Sequence, residues 1–213
     1  MNFSADKEII LKKIRKALTQ STPIPYPGSE GAGNVFHGPQ QEPEVEFAEQ
    51  FTRLTGKFMY CMNEQEAVDN LIALAQLNKW TSLYCPDVKL KEMLKGLQFC
   101  GIDTESLKNS DAAITGCECL IARTGSLILS SAIPGGRTAS VYAPIHICIA
   151  YSSQLVWGIK EGIEFITSKY GTEIPSSLSL ATGPSRTADI EKTLVVGIHG
   201  PGETYVFLID DRN

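Results

Sequence analysis

From Glu44 onward, apolar residues recur at helical and at strand-like spacings in alternation. Helical periods cover 45–56, 64–79 (Val68, Leu71, Ile72 and Ala75 on one face), 88–99 and 153–169 (Leu155, Ile159, Ile163, Ile166). Short apolar runs at 57–62, 82–85, 112–115, 120–122, 126–130, 145–150, 178–181, 194–198 and 205–209 predict strands. That alternation is the signature of an α/β fold. The first half suits βα units. Between 112 and 150 the strands follow one another without helices, which predicts a sheet that becomes mixed or gains a hairpin layer.

The N-terminal segment is built differently. Ser4 is placed to cap a helix, Asp6 and Glu8 suit its first turn, and Ile10, Ile14, Ala17 and Leu18 form one apolar stripe. Residues 21–43 are interrupted by Pro23, Pro25, Pro27, Gly28, Gly31 and Gly33, so they predict an irregular connection. The expected organisation is an arm and linker over 1–43 and an α/β domain over 44–213. Such an arm is suited to packing on a partner subunit or on its own domain.

Composition narrows the function classes. At 213 residues the chain supports a core without staples. A net charge of −5, with the basic residues scattered apart from Lys12, Lys13, Arg15 and Lys16, disfavours nucleic acid. The first twenty residues carry these charges without an apolar core, so neither a signal peptide nor a membrane span is expected, and a cytoplasmic location follows. The six cysteines lie in apolar segments and read as small buried hydrophobes that stay reduced. Cys117-Glu118-Cys119 has neither zinc-knuckle nor cluster spacing. Gly31-Ala32-Gly33 and Gly200-Pro201-Gly202 lack a dinucleotide loop's third glycine, and no phosphate-loop lysine motif occurs. No cofactor is therefore expected in this chain.

Polar chemistry is concentrated in islands. The longest runs Thr182-Gly183-Pro184-Ser185-Arg186-Thr187-Ala188-Asp189-Ile190-Glu191. Gly183 and Pro184 call for a turn, Ser185 or Thr187 can cap a helix, and Asp189 and Glu191 suit that helix's first turn. Arg186 beside such a helix start would form an anion cradle. Arg123-Thr124-Gly125-Ser126 reads either as a tight turn or as a ligand rim where bare backbone at Gly125 admits a ligand. Gly135-Gly136-Arg137-Thr138 is the same choice again, with Arg137 as a second fork donor. His199, after the strand at 194–198, is placed to pass a proton or to bond loop backbone. His146 inside an apolar strand reads as a core histidine, and Glu203 as a base, a nucleophile or a solvated carboxylate.

These islands carry a resemblance. Arg123-Thr124-Gly125-Ser126, Arg137, the Gly183–Glu191 motif and Gly197-Ile198-His199-Gly200-Pro201 together resemble the lactate-utilisation (LUD) domain family, protein C group, over roughly 44–210. The resemblance implies a three-layer α/β/α domain similar to ribose-5-phosphate isomerase, glucosamine-6-phosphate deaminase and coenzyme A transferases. It implies a role in oxidising L-lactate to pyruvate with two iron–sulfur partner proteins, which would supply the electron carriers. One departure is Arg123, where the family often has a glutamate before Thr-Gly.

The leading expectation is a subunit of a lactate-oxidising complex that holds a small carboxylate or related anion. Ligand contacts are expected from Thr124, Gly125, Ser126, Arg137, Gly183, Pro184, Ser185, Arg186, Thr187 and Asp189, and proton transfer from His199, with Glu203 as a second catalytic candidate. An independent transferase or ligase acting on coenzyme A esters or sugar phosphates is the alternative, and it would need a reactive carboxylate such as Glu203 or Glu118. A third reading is a non-catalytic assembly or regulatory subunit docking through its arm.

Overall fold

The computed structural model describes residues 3–19, 38–39, 41–97, 99, 102–103, 106–187 and 194–212. The chain forms two units, Met1–Gly38 and Pro39–Asn213. In the first, helix α1 spans Phe3–Leu18, with Arg15 and Lys16 in its last turn, where cations favour the exposed carbonyls. Most of the connection expected at 21–43 lies outside the described residues.

The second unit opens with α2 (Pro43–Arg53), which has proline at its start, Glu44 and Glu46 in its first turn and Arg53 in its last. Strand β1 (Lys57–Cys61) leads to α3 (Glu64–Asn78). The Asn63 side chain accepts the Glu66 amide at 2.9 Å, and the Glu66 carboxylate reaches back to the Met62 amide at 2.7 Å. This reciprocal cap fixes where α3 starts. Next come β2 (Leu83–Tyr84) and α4 (Val88–Gly96), capped by Asp87, followed by β3 (Ile102–Asp103) and β4 (Ala112–Thr115). Then follow β5 (Cys119–Ile121), β6 (Ser126–Ser130), the short α5 (Ala139–Tyr142), β7 (Ile145–Tyr151), β8 (Leu155–Val156) and α6 (Ile159–Tyr170). The chain closes with β9 (Leu178–Ala181), β10 (Arg186–Thr187), β11 (Val195–Val196) and β12 (Glu203–Ile209).

The main sheet has six strands in the order β1-β12-β7-β4-β2-β3, and every pairing in it is parallel. Of the two outcomes expected for 112–150, the main sheet does not become mixed and the added hairpin layer is what forms. The strands without intervening helices leave the main sheet and build a second one, β8-β5-β6-β9, where β6 runs antiparallel to β5 and β9. The reason is loop length: Ala122–Gly125 is long enough only for a tight reversal, and a parallel neighbour needs a crossover.

Side-chain alternation along β12 sorts the core into two layers. Tyr205, Phe207 and Ile209 meet Val68 and Leu71 of α3 and Leu90 and Leu94 of α4. Val206 and Leu208, with Cys148 and Ala150 of β7, face Leu120, Leu127 and Leu129 of the second sheet and Phe47 and Phe51 of α2. Those two rings stack at 5.4 Å and are fully buried, each contributing roughly 1.5–3 kcal/mol of transfer free energy. Ile166 of α6 covers the outer side of the second sheet at Cys119, Ile121 and Ile128. The α/β class stands, a parallel sheet flanked by helices, with the small sheet lying between it and α6.

Candidate functional site

Two of the polar islands are built around the end of α2. The backbone at Gly125 has φ +59°, and a Cβ there would lie 2.4 Å from the Phe51 amide nitrogen. Its bareness admits a helix, and of the two readings of this island the tight turn, with Gly125 supplying the positive φ, is the one that forms. Ser126 is buried, with its hydroxyl 2.8 Å from those of Thr124 and Thr182. Gly183 has φ +70°, and a Cβ would sit 2.8 Å from the Leu54 carbonyl oxygen. The Arg186 guanidinium donates to that same carbonyl and, at 2.9 Å, to the Thr55 hydroxyl. A helix leaves its last carbonyls unpaired, and Arg186 answers one of them.

The helix start expected at Ser185 or Thr187 is also corrected. Arg186 and Thr187 pair antiparallel with Val196 and Val195 as a strand. Pro184 is buried beneath this turn, while Asp189 and Glu191 lie outside the described residues.

The remaining islands meet elsewhere. The Ser185 amide donates to the Pro201 carbonyl at 2.9 Å, the Gly197 amide to the Ser185 carbonyl at 3.0 Å, and the Gly202 amide to the Pro144 carbonyl at 2.8 Å. These bonds stitch the loop carrying His199 to Ser185 and to the start of β7. On the opposite wall, Gly136 presses so closely on the Ser130 carbonyl that a Cβ would lie 2.3 Å away, and Arg137 follows it. Together these elements enclose a cleft of about 290 Å³ that brings Arg137, Ser185 and His199 together. Of the expected ligand residues, Thr124, Gly125, Ser126, Gly183, Pro184, Arg186 and Thr187 do not line it.

Glu203 is turned away as well. It shares a face of β12 with Tyr205, where its carboxylate lies 2.6 Å from the Lys57 ammonium and 2.8 Å from the Tyr205 hydroxyl. The Lys57 hydrogen bond, followed by that from Tyr205, holds its carboxyl below the ordinary range.

Sequence reasoning missed the floor of the cleft. His146 is buried as expected of a core histidine, but it lines the cleft beside Thr204, its register partner on β12. Burial pushes its pKa down to about 4, so the imidazole is neutral at physiological pH. Its Nε2 lies 2.8 Å from the Thr115 hydroxyl, which donates to the Gly116 carbonyl at 2.9 Å. With that hydrogen committed, Thr115 accepts, Nε2 carries the proton, and Nδ1 is an acceptor. Thr204 Oγ1 is buried without a hydrogen-bond partner among the described residues. The available signal was two polar residues at inward positions of adjacent central strands.

A larger cavity of about 760 Å³ opens at the carboxyl ends of β4 and β7, walled by Leu90 and Met93 of α4 and by Leu97 just after it. Beneath Lys169 on its rim, the buried Glu118 carboxylate receives Lys169 and Tyr170 at 2.8 Å each, and Ser130. Burial pushes this carboxyl up, but the bonds from Lys169, Ser130 and Tyr170 outweigh burial and hold it below the usual range. Both oxygens are occupied, which leaves no nucleophile there. The described cysteines are buried free thiols, and burial raises Cys85 to about 11 and Cys119 to about 12. Among the described residues, no group of three or more His, Cys, Asp or Glu could hold a metal, and no helix is long and apolar enough to cross a membrane.

Fold and site thus define an α/β domain with a small arginine- and histidine-lined cleft. The chain belongs to the LUD domain family, whose model matches residues 102–209. It is 36% identical over 104 residues to lactate utilization protein C of Deinococcus radiodurans, covering 48% of each protein. Identity to the protein of that name from Bacillus subtilis is 34% over 113 residues, 51% of this chain and 47% of that protein. An uncharacterized Neisseria meningitidis protein is 37% identical over 106 residues, 50% of this chain and 45% of its own length. The chain spans about half the length of the curated relatives it matches. A crystal structure of a DUF162 family protein from Deinococcus radiodurans shares the fold, with a TM-score of 0.56 at 21% identity, over 78% of this chain and 96% of that one.

Proposed function

We propose that this domain serves lactate utilisation by holding a short carboxylate, such as lactate or pyruvate, in the cleft of Arg137, Ser185 and His199. The observation that carries this reading is the convergence of those three residues, from separate loops, in a chain whose relatives are named lactate utilization protein C. Arg137 pairs with the carboxylate, Ser185 donates to it, and His199 takes the hydroxyl proton when lactate is oxidised. Oxidation to pyruvate releases two electrons and two protons; the iron–sulfur partner proteins that the resemblance implies would take the electrons one at a time, and the carbon-bound hydrogen would leave as the second proton to solvent. We place this activity in the cytoplasm, where buried thiols stay reduced. The transferase reading draws no support from the geometry, because Glu118 is sealed and Glu203 is ion-paired.

The test is growth on lactate of a strain lacking this gene, complemented with the wild type or with Arg137→Ala, alongside a thermal-shift titration. Ligand at about 100 times its Kd stabilises by roughly 2.7 kcal/mol. Normal growth on lactate without the gene, or no shift with lactate and pyruvate, counts against the reading.

A further inference from the structure

Thr204 occupies a position where a hydroxyl has no internal purpose. Its neighbours on the same face of β12, Val206 and Leu208, are packed in the apolar layer, and valine has the same shape as threonine. A buried hydroxyl with no partner is unfavourable, and native proteins rarely keep one without an outside group to meet it. Thr204 is 2% exposed, its Oγ1 has no partner among the described residues, and it lines the cleft that also holds Arg137. Of the neighbouring groups, the Ser140 hydroxyl donates to the Gly136 carbonyl at 2.8 Å, and His146 Nε2 is held by Thr115, which leaves Nδ1 as an acceptor.

We infer that Thr204 is the specificity-determining residue of the cleft: it receives a second oxygen on the ligand, so that a 2-hydroxy- or 2-oxo-carboxylate is preferred over an unsubstituted one. This rests on the reading of the cleft as a carboxylate site. A ligand spanning from Arg137 to the floor is anionic at one end and presents a hydrogen-bonding oxygen at the other. The Thr204 hydroxyl can donate to a carbonyl oxygen or accept from a hydroxyl, and His146 Nδ1 supplies the floor's fixed acceptor. A cleft of about 290 Å³ is on the scale of such a small molecule.

Calorimetric titration of the full chain with L-lactate, pyruvate and propionate, on the wild type and on Thr204→Val and Thr204→Ser, tests this. Lactate or pyruvate should bind the wild type at least about tenfold more tightly than propionate, a difference of roughly 1.4 kcal/mol. Thr204→Val should reduce that preference to parity without weakening propionate, and Thr204→Ser should retain it. Without ligand, Thr204→Val should melt about 2–4 °C higher, because it removes an unsatisfied group. If propionate binds the wild type as tightly as lactate and pyruvate, the inference fails and the carboxylate site stands. If none of the three binds, both fail. A Thr204→Val protein that keeps the tenfold preference shows that the hydroxyl meets only a buried water, and the inference is overturned.

Discussion

Arg186 holds the end of a helix 132 positions earlier in the chain, its guanidinium donating to the carbonyl of Leu54. The arginine of the sequence's most distinctive polar motif is therefore a structural clamp on α2, while Ser185 of the same motif lines the cleft. Replacing Arg186 with Gln should lower stability by about 1 kcal/mol, below the roughly 1.5–3 kcal/mol of a charged hydrogen bond because the side chain is exposed. Carboxylate affinity should be unaffected. Urea denaturation and calorimetry on one preparation separate the two, and a selective loss of binding would return Arg186 to the site.

Gly125 is the second contact on the same helix. Alanine there adds a left-handed backbone penalty to a Cβ placed 2.4 Å from the Phe51 nitrogen. Together with overpacking, the loss should be roughly 2–4 kcal/mol. A melting temperature within a degree of wild type would show that α2 yields easily.

Arg137 is expected to behave in the opposite way. Its alanine variant should keep the fold and lose about 1.5–3 kcal/mol of carboxylate binding, a factor of roughly 10–150. Unchanged affinity would remove the arginine from the site.

His146 should give stability a pH slope. Its folded pKa of about 4 lies below the unfolded value of 6.5, so the unfolded chain binds the proton first as pH falls. Its contribution is fully present above about pH 6.5 and is lost progressively down to about pH 4, a loss of about 3 kcal/mol. Denaturation curves at half-unit pH steps should show this slope in the wild type and not in His146→Gln. Equal slopes would mean that the imidazole is hydrated in the folded state.

The Glu118–Lys169 pair acts lower on the scale. The folded carboxyl is held below its usual range, so its contribution is present above roughly pH 4.3 and is lost as pH falls through the folded value. Glu118→Gln should be destabilised at neutral pH, because Lys169 and Tyr170 lose their charged acceptor, and the gap to wild type should narrow below pH 4. A gap independent of pH would point to packing alone.

Where a signal was local, the sequence displayed it. Strands β4, β6 and β9 fall on the expected residues because each is one apolar run between turn residues, and α3 starts at its cap. The helical period at 153–169 absorbed Leu155, which instead belongs to β8, paired with Leu120. No local pattern distinguishes those uses, since the deciding partner lies far along the chain. The site divides in the same way. Arg137, Ser185 and His199 stood out as polar residues in loops, whereas the commitment of Gly125 and Arg186 to α2 depends on a tertiary approach that spacing does not encode. His146 was masked by apolar neighbours that share its strand but, alternately, not its face.

The dependence of both motif turns on α2 bears on what can be cut from this protein. The family match begins at residue 102, yet the turns within it close on Gln50, Phe51 and Leu54, and β12 borders β1. A fragment starting at 102 would carry the whole signature and lack the surfaces that shape it, with the sockets of Phe47 and Phe51 open to water. A fragment that keeps those surfaces has to include α2 from Pro43, nearly sixty residues ahead of the recognisable segment.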